Sequence, residues 1–249
     1  MRALRITLII AVVLGVLFTA LDRIAVSFAE SEAAGKIRDS QGLPSTPEVS
    51  IKGFPFLTQV MDRRLDEVGI SLSGITANAG GRSVEVTEVR AGLTGVTVGS
   101  GYDSAVAGRA EGSARISYEA LGKAAPEGAT IGWAGAERAA KGQVKLEGPL
   151  ADVVKGAGVP VPDAVAGALG GRTISAYSTV ELTGGNTLRL TADGLPELPV
   201  QGFGKALRQA VDLELKIEGM PAGIRLDRLE LSEDGLRITG TGRDVALAG

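Results

Sequence analysis

Past an uninterrupted apolar start, apolar and polar residues alternate with period two over most of the chain. Val68, Ile70 and Leu72 alternate with Gly69, Ser71 and Ser73. Val84 and Val86 alternate with Ser83, Glu85 and Thr87, and Ile116 and Tyr118 flank Ser117. Val144 and Leu146 alternate with Lys145 and Glu147. Ile174, Ala176, Val180 and Leu182 share a face, with Ser178 as a polar member. The clearest run sets Val211, Leu213, Leu215 and Ile217 against Asp212, Glu214, Lys216 and Glu218. Successive side chains of a strand point to opposite faces, so each run predicts one apolar and one wet face. Turn residues divide the runs: Asp234-Gly235 between Leu229–Leu231 and Leu236–Ile238, Gly184-Gly185-Asn186, and Met220-Pro221-Ala222-Gly223. At Leu226-Asp227-Arg228-Leu229 the phase slips, which predicts a bulge. Short connections without intervening helices predict an antiparallel sheet. Two segments resist, Tyr118–Ala125 and Pro162–Leu169, and both read as short helices.

The start of the chain follows a different period. Arg2 and Arg5 precede an uncharged run from Ile6 to Leu21, 16 residues or about 24 Å of helix. A full span takes about 20 residues, so the run suits an exported signal as well as an anchor. Ser27-Phe28-Ala29 offers a small-x-small cleavage site. Against cleavage, the helical pattern continues. Leu21, Ile24, Ala25, Phe28 and Ile37 keep roughly to one face, and Glu30, Glu32, Lys36 and Arg38 supply the polar side. One helix is predicted from near Leu4 to about Ser40, with its first half in the membrane and its second half packed on the domain. Gly42–Pro47 ends it. The expected organisation is a signal or anchor over residues 1–29 and one β-rich domain over residues 30–249, outside the plasma membrane.

Composition narrows the chemistry. There is no Cys and no His. That removes disulfides, His-dependent triads and the zinc sites that use either residue. Net charge is −3 for the whole chain and −5 once residues 1–29 are set aside. An acidic domain without a basic stripe is a poor nucleic-acid binder. Asp66/Glu67 and Glu233/Asp234 are adjacent carboxylates, which a strand sends to opposite faces. Trp133 and Tyr177 are candidates for a sugar site, with packing the commoner role for such rings. Aromatics make up only 4% of the chain, so the core must be aliphatic. A long sheet with one aliphatic face either curls around the helix of residues 21–40 or closes as a barrel. Composition does not decide whether side chains or an acyl chain fill its interior.

The most distinctive stretch is Val49-Ser50-Ile51-Lys52-Gly53-Phe54-Pro55-Phe56-Leu57-Thr58-Gln59. Pro55 lacks an N–H, so the chain must bend out of the sheet or lie at its edge. Gly53 permits the turn, and Phe54, Phe56 and Leu57 are left close together. Taken alone, Phe-Pro-Phe is commonly a hydrophobic plug.

The Gly53–Gln59 string, the apolar helix followed by Asp22-Arg23, the acidic Ala-rich continuation through Glu30, Glu32, Ala33 and Ala34, and the C-terminal stretches Met220–Ile224 and Leu236–Gly242 carry a resemblance. Over residues 20–247 the chain resembles the actinobacterial family of secreted phospholipid-binding proteins that includes the mycobacterial lipomannan elongation protein. One departure is plain: Arg63-Arg64-Leu65 stands where that family tends to carry a Gly and then an aromatic. The resemblance implies an α+β, β-dominated fold, a curved antiparallel sheet wrapped around a long N-terminal helix, like one half of the tubular lipid-binding proteins. It implies a lipid-filled interior, no catalytic residues and no cofactor. As partners it implies a phospholipid or phosphoinositide-type lipid, the membrane and an envelope glycosyltransferase, in support of mannolipid maturation. The candidate lipid contacts are Gly53, Phe54, Pro55, Phe56 and Leu57 at the entrance, with Phe28 on the helix. An envelope adaptor that binds through its sheet edge and a His-independent glycolipid hydrolase are the alternatives.

Overall fold

A computed structural model describes residues 2–79, 82–101, 104–125, 127–156, 171–193, 212–217 and 220–247. In chain order the elements are α1 (Arg2–Gln41), β1 (Glu48–Lys52), α2 (Phe56–Met61), β2 (Arg64–Ala79), β3 (Arg82–Val98), β4 (Ala105–Ile116) and α3 (Tyr118–Ala124). There follow β5 (Thr130–Gly132), α4 (Ala136–Ala139), β6 (Gln143–Pro149), α5 (Leu150–Gly156), β7 (Thr173–Thr183), β8 (Thr187–Asp193), β9 (Leu213–Lys216), β10 (Ile224–Ser232) and β11 (Gly235–Ala246). The protein is α+β and β-dominated, with a long N-terminal helix and antiparallel sheets that do not close.

The strands form two sheets where one was expected. The first has the order β1-β2-β3-β4-β11-β10 and the second β5-β6-β7-β8-β9. The C-terminal hairpin therefore returns to pair with β4, and the chain between them builds the second sheet. The turn signals hold: Ser232 pairs with Gly235 across the β10–β11 hairpin, and a register shift between Leu226 and Arg228 marks the bulge. The Ile116–Ser117–Tyr118 alternation is not a strand but a junction. β4 ends at Ile116, and the Ser117 side chain caps α3 by accepting from the Ala120 N–H at 3.2 Å. The expectation of no further helix between strands fails at α2, α4 and α5. In α5, Leu150, Val153 and Val154 are all buried, but seven residues are too few to set a helical period in sequence. The Pro162–Leu169 segment, Val211 and Glu218 lie outside the described residues.

A crease crosses the first sheet. Gly95 and Asp244 have φ of 61° and 51° inside β3 and β11, and pairing on either side sets both opposite Gly108 of β4. At this line the buried positions change parity: Leu93 gives way to Val96, Ala110 to Ala107, and Ile238 to Val245. Strict alternation would send half of these residues to the outside. On β3 and β11 a left-handed residue advances the pleat by one, and β4 changes parity between them at Gly108, so that Leu93, Val96, Ala107, Ala110 and Val245 stay in one core cluster.

There are two such clusters. The larger fills the space between the sheets and under α3 and α5, around Val84, Ile116, Val144, Val153, Ile174, Leu188 and Leu236. The smaller joins α1 and α2 to the creased half of the first sheet through Val26, Ala34, Ile51, Phe56, Val68 and Leu93. The helix thus packs on one end of the first sheet, and the larger cluster contains none of its residues. Its packing face is rotated from the expected one: Ala25 and Ile37 pack as expected, but Leu21, Ile24 and Phe28 do not. Val26 and Ala34 are buried and Ala25, Ala29, Ala33 and Ile37 pack beside them, while Leu21, Ile24 and Phe28 remain exposed. Small side chains let the helix backbone approach the sheet closely, so the alanines win the contact. Every residue of the run Ile6–Leu21 is exposed, and Phe18 near its end meets the domain.

Candidate lipid-binding site

The corner between α1 and α2 is built around Gly53. Its φ is 104°, and a Cβ there would lie 2.5 Å from the Gln59 amide nitrogen and 2.9 Å from an Asp66 carboxylate oxygen. Only Gly suits both the backbone and the space. β1 ends one residue earlier, and a cis Phe54–Pro55 bond leads into α2. Pro55 therefore takes the chain out of the sheet at its edge strand, as the missing N–H requires.

α2 has no capping side chain of its own. Asp22 of α1 supplies one: its Oδ1 accepts the Leu57 N–H at 2.9 Å, and its Oδ2 pairs with Arg23 at 2.5 Å. The carboxylate is completely buried. A buried charge persists only when paired and hydrogen-bonded, and Asp22 is both. Glu30, two turns on, accepts the outward N–H of Ile51 at 2.7 Å and so closes the open edge of β1. Buried Gln59 receives the Asp66 N–H at 2.8 Å. Arg23 reaches the Gly53 carbonyl at 3.4 Å and lies 5.5 Å from the centre of the Phe54 ring. Phe54 meets Phe18 of the apolar run edge-on, with centroids 6.5 Å apart.

Below this corner lies a partly open apolar cavity of about 340 Å³. Of the six residues singled out by sequence, Phe28, Phe56 and Leu57 line it. Phe56 is buried in the core, whereas Phe28 stands 73% exposed at the rim. Gly53 and Pro55 shape the backbone without lining the cavity, and Phe54 turns away from it onto α1. Arg63, in the place where the resembling family carries a Gly and an aromatic, has φ of 52° and lines the cavity with Arg64.

A second, larger cavity of about 410 Å³ lies between the sheets. Ile75, Val84, Val86, Val89, Leu188 and Ile238 form part of its wall. Arg90, Ser113 and a few backbone groups are its polar exceptions, and Arg90 is paired with Glu88 at 2.5 Å. Among the described residues that line it there is no carboxylate. Both volumes fall in the range of ligand cavities, roughly 300–1,000 Å³. β3 borders both, with Val98 at the first and Ala91 at the second, roughly 20 Å apart along a strand. Sequence singled out none of its residues as a lipid contact, although Met220, Pro221, Ile224, Ile238 and Gly240 of its lining belong to the C-terminal stretches that carry the resemblance.

Polar chemistry elsewhere is engaged structurally. Lys123 and Lys145 have pKa values pushed up by their hydrogen bonds to Glu119 and Glu147, the reverse of what a lysine base needs. Burial pushes Tyr118 up to about 12, and its hydroxyl donates to the Ser232 carbonyl at 2.7 Å. The Tyr177 ring is covered by the Arg138 guanidinium at 3.5 Å, and Glu67 is paired with Lys52. Among the described residues no three acidic groups converge on a metal site.

Open antiparallel sheets with aliphatic cavities beside an exposed apolar helix offer space suited to an apolar ligand. The particular family follows from the sequence: residues 20–241 match the family model described as LmeA-like phospholipid-binding, and the chain belongs to that family. No curated protein and no solved structure matches the chain.

Proposed function

We propose that this chain is an extracytoplasmic phospholipid-binding protein that holds an acyl chain between its two sheets. On this reading it supports maturation or transfer of envelope lipids or mannolipids. The observation that carries it is the aliphatic cavity of about 410 Å³. An acyl chain needs no hydrogen-bond partner, and burying it releases roughly 0.8 kcal/mol per CH₂. A hydrolase would need acids aimed into such a space, and none stands among the described residues that line it. The Gly53–Leu57 corner and Phe28 form the lipid entrance at the membrane-proximal end. The chain then travels along the inner face of β3 to the larger cavity. Residues 6–21 anchor the protein, residues 30–249 form the outer domain, and an envelope glycosyltransferase receives or uses the lipid.

Native mass spectrometry of the full chain, released from detergent, tests this. The expected spectrum shows one or two phospholipids per chain, recovered and identified after organic extraction. A lipid-free chain that also takes up nothing from phosphatidylinositol or phosphatidylglycerol vesicles would overturn it.

A further inference from the structure

The largest exposed apolar side chains of the domain gather at one end. Ile24 is 67% exposed, Phe28 73%, Phe54 58% and Met61 83%. Leu21 continues the group into the uncovered run of α1. Soluble surfaces scatter such residues singly, and a contiguous group marks an interaction surface. We propose that this end of the domain, the α1–α2 corner, is a membrane-docking face that rests in the headgroup layer of a phospholipid bilayer. The proposal rests on the reading of residues 6–21 as an anchor.

The contact between Phe18 and Phe54 identifies the occupant. Phe18 lies inside the apolar run, one turn from its end, and its ring meets Phe54 on the domain. If the run is in the bilayer, Phe54 is at the level of its last turn. Length points the same way. Sixteen residues reach about 24 Å against a hydrocarbon core of about 30 Å. The shortfall is about one helical turn, and Ile24 and Phe54, beyond the end of the run, extend the apolar surface by that much.

The charges at this level fit an interface. Asp22 is wholly buried under α2 and shows lipid no charge. Arg23 stays paired with Asp22 and lies against Phe54, with about half of its side chain (48%) exposed at the level where lipid phosphates would stand. Arg63 and Arg64 are exposed beside Met61 and lie on the rim of the smaller cavity, where anionic lipid would attract them. The mouth of that cavity, with Phe28 at its edge, then opens onto the bilayer.

The chain has no Cys, so single-cysteine variants carry one label each. Full-length Met61→Cys and Phe54→Cys, labelled with a polarity-sensitive fluorophore, are reconstituted in phosphatidylcholine vesicles with phosphatidylglycerol and doxyl-labelled lipid. Leu14→Cys serves as the inserted reference and exposed Glu181→Cys, on the second sheet, as the remote one. The expected result is blue-shifted emission at 54 and 61 with quenching several-fold above that at 181. Labels at 54 and 61 that behave like 181 while 14 is quenched would overturn the docking face alone and leave lipid binding standing. An unquenched label at 14 would overturn the anchor and the docking face together. Lipid occupancy by mass spectrometry is read separately, so neither result is confused with failure of the binding reading.

Discussion

The two ends of the first sheet solve opposite problems. At the α1–α2 corner, polar side chains fix a bend: Asp22 caps a helix 35 residues away, Glu30 closes a strand edge, and Gln59 fills the space beside Gly53. Between the sheets almost nothing is polar, and aliphatic side chains enclose a volume without filling it. A corner held by hydrogen bonds demands particular residues at particular places. A chamber lined by Val, Ile and Leu demands only size and pattern. The corner therefore concentrates its signal in one short motif, whereas the chamber draws on residues scattered over the chain, of which only Met220, Pro221, Ile224, Ile238 and Gly240 fall in the stretches that carry the resemblance.

Phe56 and Phe54 break this comparison open, because two neighbouring rings have opposite surroundings. Phe56 is 5% exposed within the smaller core cluster, so Phe56→Ala should cost about 3–5 kcal/mol, read as a fall in the denaturation midpoint. Phe54 is 58% exposed and meets Phe18 and Arg23 of α1 from outside the core, and Phe54→Ala should stay within about 0.5 kcal/mol. Equal losses would show that the corner is not divided into a plug and an exposed ring.

Gly53→Ala sharpens the same corner. Its φ of 104° and the nearby Gln59 amide leave no relaxed place for a methyl group. A loss of about 1–3 kcal/mol is expected, with the second sheet unaffected in hydrogen exchange. Retained stability would mean that the backbone at this bend adapts freely.

The sequence made the corner and the strands legible for different reasons. Pro55 and Gly53 act through the backbone, so their effect reads from residue type alone. Alternation revealed β2, β3, β6, β7 and β11 because one face of each is buried. The division into two sheets was not legible, since Leu236–Val245 pairs with β4 across more than a hundred intervening residues. The crease was hidden as well: nothing about Gly95 or Asp244 alone announces a left-handed conformation. Asp22 could be read as part of a resemblance but not as a cap, because its partner is brought to it only by the fold. The packing face of α1 was misplaced because hydrophobicity favours Leu21, Ile24 and Phe28, whereas close approach favours alanine.

The smallest expected effect lies on the side of the chamber. Tyr118 keeps its phenolic proton to about pH 12 in the fold, against an ordinary value of 10.0. Between these pH values the unfolded chain has lost a proton that the folded chain retains, so stability falls as pH rises through this window. Its contribution is fully present below pH 10. Tyr118→Phe should remove this part of the alkaline slope in a pH series of melting temperatures, and an unchanged slope would place its origin elsewhere.

Filling the chamber tests the central claim most directly. Ala114 and Val89 both line it and pack beside the larger core cluster. Ala114→Phe and, independently, Val89→Trp place an aromatic ring where the acyl chain is proposed to lie. Native mass spectrometry of each folded variant, with its melting temperature alongside, should show bound phospholipid falling to a small fraction of the parent level while the fold persists. Full lipid occupancy in both folded variants would contradict the account and move the bound lipid out of the space between the sheets.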